Sequence, residues 1–192
     1  MDREAFAKRY GVAAHEYTFG RPHLASGAPL ENYAALQASL PIYCVDVFAI
    51  NPIGRVLLGL RKAKPVQGML WTTGGRKYRN ERMAHCAARH FHKDFQVDID
   101  EGRFGYLDHA CLYFDEREQD PQDVGADCPV AMLGLLLTQE ESDAIREMGE
   151  LQHVVFMEYE EAQHKAEAYI CRGLELLRGY YEEACELQLD RP

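Results

Sequence analysis

The chain has 192 residues, a formal charge of −10 at neutral pH, 47% hydrophobic residues and 27% charged residues, which suits one globular domain with terminal additions and excludes a disordered chain. No apolar run approaches the ~18 residues that span a bilayer, and the opening MDREAFAKRYG lacks the apolar stretch of a signal peptide. Six scattered cysteines form no CxxC pair, so the expectation is a soluble cytoplasmic protein with reduced thiols.

In chain order, Arg3 to Tyr10 and Leu30 to Leu40 read as helices, separated by loop signals at Gly20-Arg21-Pro22 and Ser26 to Pro29. Ile42 to Ile50 is a β-branched and aromatic run typical of a buried strand. Asn51-Pro52-Ile53-Gly54 turns it into a returning strand, Arg55 to Leu60. Met69 to Thr73 reads as a short strand that stops at Gly74-Gly75. Asn80 is the expected cap of a helix from Glu81 to Phe95, whose Ala84, Ala87, Ala88, Phe91 and Phe95 share one face. Strands follow near Arg103–Phe114 and Val130–Leu137, with an acidic loop at Asp115–Asp127 between them. Ser142 to Met148 reads as a short helix and Val154 to Met157 as a strand. A long amphipathic helix from Tyr159 to Leu187 closes the pattern, with a kink expected at Gly173 or Gly179. The fold class is α+β: a helix docked on a mixed sheet. Residues 1–40 form an N-terminal helical extension, 41–158 the main domain and 159–192 a C-terminal helix packed on or beside it.

Charge is concentrated. Ten basic residues and one acid, Glu81, lie between Pro52 and Lys93 in a chain that is acidic overall. A local positive field of this kind holds a compact anion such as a diphosphate. The acidic whole argues against tracking along nucleic acid, where counterion release rewards a broad basic surface.

Within the basic segment, Gly75, Glu81 and Arg89 have the spacing of a Nudix box: a glycine turn, then a helix whose carboxylates hold a divalent cation on a diphosphate. After Arg89 that pattern asks for glutamates at three positions, and this chain has His90, Lys93 and Asp94 there. Several carboxylates on a hard cation are therefore not expected. From about Pro41 to Glu161 the chain resembles a branch of the Nudix superfamily that also lacks those glutamates, the GDP-mannose mannosyl hydrolases. The linked features are Asp46, Gly54, Val56 to Gly59 leading to Arg61, Pro65 to Gly68, Trp71, Gly74-Gly75-Arg76, the box, and Gln152-His153 before Val154.

The resemblance implies a Nudix-like α/β/α sandwich with added terminal helices. It implies one magnesium (or manganese) ion held by the Gly74 carbonyl, Asp94 and Gln152. Asp46, Arg61, Arg76 and Arg89 would bind substrate, with Arg61 and Arg76 neutralising the diphosphate, and His153 would be the general base that activates water. The implied activity is hydrolysis of a nucleoside-diphosphate sugar at the sugar carbon, and a homodimer is a possible assembly. Arginines suit charge that develops on phosphate oxygens, and a histidine titrates near neutrality. The alternatives are a catalytically inactive Nudix fold that binds or senses a nucleotide or nucleotide sugar, and an assembly protein that works through its terminal helices. Cys86, His90 and Asp94 also fall on one helical stripe, as a soft metal site would, and Glu81, His85, Arg89 and Lys93 follow the spacing of a solvated charge ladder.

Overall fold

A computed structural model describes residues 2–12, 16 and 30–187. Its elements run α1 (Arg3–Tyr10), α2 (Leu30–Ser39), β1 (Cys44–Ile50), β2 (Val56–Arg61), β3 (Leu70–Trp71), β4 (Thr73–Arg76), α3 (Met83–Phe95), β5 (Gly105–Phe114), β6 (Ala126–Leu136), α4 (Gln139–Ala144), β7 (Leu151–Met157), α5 (Tyr159–Lys165) and α6 (Ala168–Glu186). The strands join in one mixed sheet of order β3-β2-β1-β6-β5, with β4 on β1 and β7 on β2. β1 runs parallel to β6 and antiparallel to β4. It is buried along its whole length after Cys44, as a strand covered on both faces must be.

Helices cover both sides of the sheet. α3 packs on β1 and β4 through Ala84, Ala87, Phe91 and Phe95, the face that its periodicity predicts. Each buried phenylalanine there contributes about 2–3 kcal/mol of hydrophobic stabilisation. α6 covers β1, β5 and β6. The terminal helices share the main core: the rings of Phe6 and Tyr10 in α1 meet Tyr180 of α6 at 5.4 and 5.0 Å between centroids.

Several local expectations are corrected. α3 begins at Met83, not Glu81, and Arg82, not Asn80, holds its N-cap position. Asn80 instead takes a left-handed φ of 61° in the preceding turn. The Met83 N–H donates to Glu16 Oε1 at 2.7 Å, so a carboxylate from a distant segment serves the helix start. The strand expected to stop at Gly74-Gly75 is split into β3 and β4, and β4 passes through both glycines to Arg76. Gly74 pairs with Asp46, where an added Cβ would collide with the Asp46 carboxylate and the Val45 carbonyl. β1 and β2 pair only at Ile50 and Val56, because β4 and β6 take up the rest of β1.

The short helix is Gln139–Ala144, fixed by a capping box between Thr138 and Glu141. The C-terminal helix is interrupted at Ala166 and Glu167 and runs unbroken through Gly173 and Gly179. Gly173 is there because the Phe48 ring lies against it, leaving no room for a Cβ. The loop signals at 20–22 and 26–29 fall outside the described residues.

Candidate functional site

A cavity of about 370 Å³ opens between β1, β4, α3 and α2. That volume is in the range of small-molecule sites. Asp46, Arg61, Arg76 and Arg89 all line it, each brought in by a different element. Gly74, Asp94, Gln152 and His153 do not line it. The cavity wall instead carries Glu150, His90, Lys93, Trp71 and, from α2, Tyr33.

Asp46 is 6% exposed and accepts a hydrogen bond from the Tyr169 hydroxyl at 2.9 Å. Burial pushes its carboxyl up to about 6, against the pull of that hydroxyl, of Arg61 and of Trp71. The Tyr169 ring stacks on Trp71 with centroids 5.2 Å apart, so α6 braces the floor of the cavity.

The arginines are held in three different ways. Arg61 donates to the Ala63 carbonyl at 3.4 Å and lies 3.7 Å from Glu150 Oε2. Arg76 stands 4.1 Å over the ring of Tyr33 and 5.4 Å from that of Tyr78. It forms no ion pair among the described residues. Arg89 makes a two-point contact with buried Glu81, Nε to Oε1 at 2.7 Å and Nη2 to Oε2 at 2.9 Å. Nη2 also donates to the Arg76 carbonyl at 3.0 Å. Burial alone would raise the Glu81 carboxyl, but the Arg89 hydrogen bond, the Tyr78 N–H and the Arg89 charge together outweigh it and hold the carboxyl below its usual value. Arg89 is therefore largely spent on holding the turn before α3, and Arg76 is the freest cation of the three.

His90 is 5% exposed, and its ring lies against Gly75, where an added Cβ would stand 2.6 Å from Cε1. Its Nε2 is 3.2 Å from both the Arg76 carbonyl and Arg89 Nη1, while Nδ1 is buried with no partner. Burial, then Arg89 and Lys93, lowers its pKa to about 4, so the imidazole is neutral at pH 7. Lys93 donates to Glu150 Oε1 at 2.7 Å. Burial opposes ionisation of Glu150, but Lys93 and Arg61 overcome it and keep the carboxyl below its usual value.

None of the expected metal set lines the cavity. Asp94 is 2% exposed and turned into the protein, accepting from Thr73 Oγ1 at 2.5 Å and from the Glu150 N–H at 3.2 Å. Gly74 is within the β1–β4 pairing, and Gln152 is paired with Leu60 on β7. His153 is exposed, at a left-handed φ of 51°, beside the irregularity in the β2–β7 pairing. No group of three or more His, Cys, Asp or Glu side chains that could hold a metal ion occurs among the described residues. The Cys86, His90 and Asp94 stripe is one of the arrangements so excluded: Cys86 packs at the Gly75 and Arg76 carbonyls while Asp94 binds Thr73. Nudix hydrolases generally use divalent metal ions. The residues here do not fit such an ion, since the available carboxylates are already satisfied and cations face the cavity.

Sequence reading missed four contributors. Lys93 and His90 were visible at positions where the box has glutamates, but their aim into a cavity was not. Glu150 lies two residues before Gln152 and gave no signal of its own. Tyr169 carries only helical periodicity and reaches Asp46 across 123 residues of chain.

No protein-family model matches this chain. It is 32% identical over 82 residues to the low-salt glycan biosynthesis protein Agl8 of Haloferax volcanii, a match covering 42% of this chain and 52% of that protein. The chain thus spans about half the length of the curated relative it matches. Among solved structures, the MutT NUDIX hydrolase of Burkholderia pseudomallei superposes with a TM-score of 0.55 at 15% identity, over 72% of this chain and 99% of that one. The NUDIX domain of Shewanella oneidensis NrtR, solved with ADP ribose, gives 0.55 at 14% identity over 81% and 99%. The MutT protein of Methanosarcina mazei gives 0.54 at 14% identity over 74% and 95%. No helix among the described residues is long and apolar enough to cross a membrane. Sheet order, the box helix on β1 and β4, and these superpositions establish that the chain has the Nudix fold.

Proposed function

We propose that this chain is a Nudix-fold hydrolase of a nucleoside-diphosphate sugar, with water attacking the sugar carbon and the nucleoside diphosphate leaving. The observation that carries this reading is the convergence of Asp46, Arg61, Arg76 and Arg89 on one cavity from β1, β2, β4 and α3. The partial match to a glycan biosynthesis protein supports a sugar-bearing substrate. Arg61 and Arg76 receive the diphosphate, and Asp46 receives hydroxyl groups of the sugar or ribose. In the reaction a bond forms between the water oxygen and the anomeric carbon. The bond from that carbon to the diphosphate oxygen breaks, and the arginines neutralise the charge left there.

The proton of the attacking water needs an acceptor. His153 is exposed and outside the cavity wall, whereas Glu150, three residues earlier, lines the cavity. We assign the base role to Glu150. Release of free sugar from GDP-mannose and from UDP-glucose is the direct test. Glu150→Gln should stop release, and His153→Ala should leave it within about threefold. Release that His153→Ala abolishes, with Glu150 intact, returns the base role to His153.

A second reading is a binding protein without turnover. The inward-turned Asp94 and the absence of a metal cluster among the described residues favour it. Saturable binding with no sugar release over long incubation would select this reading over the enzyme.

A further inference from the structure

We infer that Lys93 supplies the positive charge that a divalent ion would otherwise bring to the diphosphate, so that ligand recognition here is independent of metal. This rests on the proposed nucleoside-diphosphate ligand and extends it to how that ligand is held.

The positions of the box that would carry metal-binding glutamates hold an imidazole, an ammonium and a carboxylate, in His90, Lys93 and Asp94. The first two side chains face the cavity, and the carboxylate is turned away to Thr73 and the Glu150 N–H. The polarity of the metal position is thereby reversed. A divalent ion entering it would meet the Lys93 ammonium and the Arg61 guanidinium, which lie 2.7 and 3.7 Å from the Glu150 carboxylate, with Asp94 Oδ1 3.6 Å from Lys93 on its inward side. Like charges gathered in a partly buried cleft repel before any ligand bond forms. A diphosphate entering the same position meets attraction from both cations and must displace Glu150 from them.

Glu150 makes the internal case. Its two oxygens already do what phosphate oxygens would do, one on Lys93 and one towards Arg61. It is the chain's own anion in the diphosphate position. Nearby, His90 Nδ1 is buried without a partner, and so is Gln37 Oε1 from α2 on the opposite wall. Such orphaned atoms in a cavity wall are unusual, and a ligand atom is the ordinary way to satisfy them. When a ligand takes Lys93 and Arg61, Glu150 is released, which is the state in which a carboxylate can accept a proton from water.

The test is calorimetric titration of the full chain with inorganic diphosphate and with GDP-mannose, in excess EDTA and again in excess magnesium. The inference expects the two affinities to agree within about threefold. Lys93→Ala should weaken binding about tenfold or more in EDTA, and Glu150→Gln should tighten it severalfold by freeing both cations. Manganese alone, followed by its paramagnetic resonance signal, should stay free in solution beside the wild-type chain. The double variant His90→Glu/Lys93→Glu should bind manganese and make diphosphate binding depend on it. Lys93 is partly exposed, and retained thermal melts would show that its variants fold.

Binding that requires magnesium, or manganese held by the wild-type chain, overturns the inference and leaves the ligand assignment standing. No binding of either probe in either condition overturns the ligand assignment together with it. Equal binding by wild type and Lys93→Ala in EDTA removes Lys93 from the role.

Discussion

The expected site has two arms, and they behave differently. The near arm, Asp46, Arg61, Arg76 and Arg89, comes from consecutive elements between β1 and α3, and all four residues line one cavity. The far arm, Gly74, Asp94, Gln152 and His153, does not line it. Short connections explain the first result: a strand, its neighbours and the helix that follows keep a fixed geometry over a few residues. In the far arm, Gly74 and Asp94 share β4 and α3 with Arg76 and Arg89, so for Asp94, Gln152 and His153 the outcome depends on which way single side chains turn. Asp94 and His90 are one helical turn apart, yet one points to Thr73 and the other into the cavity wall. Just before β7, Glu150 lines the cavity, while the pairing irregularity with β2 and the left-handed backbone of His153 break the alternation beyond it. Spacing therefore located the cavity but could not decide which polar groups fill it.

The comparison can be broken most severely at the near arm. Arg61→Ala with Arg76→Ala should weaken nucleotide-sugar binding by about 100-fold, because both charges that face a diphosphate are removed. A loss of only severalfold, measured by calorimetry, would mean that the near arm is not the binding surface.

A smaller effect concerns Asp46 and pH. Its folded pKa of about 6 lies above the ordinary value of 3.8, so the folded state holds this proton more tightly than the unfolded chain. The stability it contributes is present below pH ~3.8 and is lost as pH rises through about 6. Asp46→Asn keeps an acceptor for Tyr169 and removes that loss. It should stabilise the chain by about 1–3 kcal/mol at pH 8 and by little at pH 4. Thermal melts at both values decide it, and the same variant should lose sugar recognition.

Tyr169→Phe should cost about 1–2 kcal/mol, because buried Asp46 loses a donor. It should also push the Asp46 titration further up, which pH-dependent melts would record as a shift of the stability change to higher pH. Gly173→Ala is comparable in size, about 1–3 kcal/mol, through overpacking against Phe48, and its effect should not vary with pH. The smallest effect belongs to the far arm: His153→Ala should alter nucleotide-sugar binding by less than about twofold, since the side chain lies outside the cavity wall.

Most of the fold was legible. The buried run of β1, the alanine and phenylalanine face of α3 and the strands either side of the acidic loop all follow from periodicity, which burial imposes directly on sequence. Element ends were less legible. The start of α3 has Arg82 at its N-cap position and Glu16 on the Met83 N–H, and the break before α6 falls at Ala166 and Glu167 and not at a glycine, because tertiary partners outweigh local propensity there. The basic segment and its glycine corner, and hence the cationic lining of the cavity, follow from amino-acid order alone, since charge and turn chemistry act over short stretches of chain. Only tertiary structure decided that Lys93, His90 and Glu150 face the cavity, that Asp94 faces away, and that Tyr169 from the last helix holds Asp46. Those outcomes depend on packing between segments far apart in the chain, where side-chain direction is set by neighbours that no local pattern names.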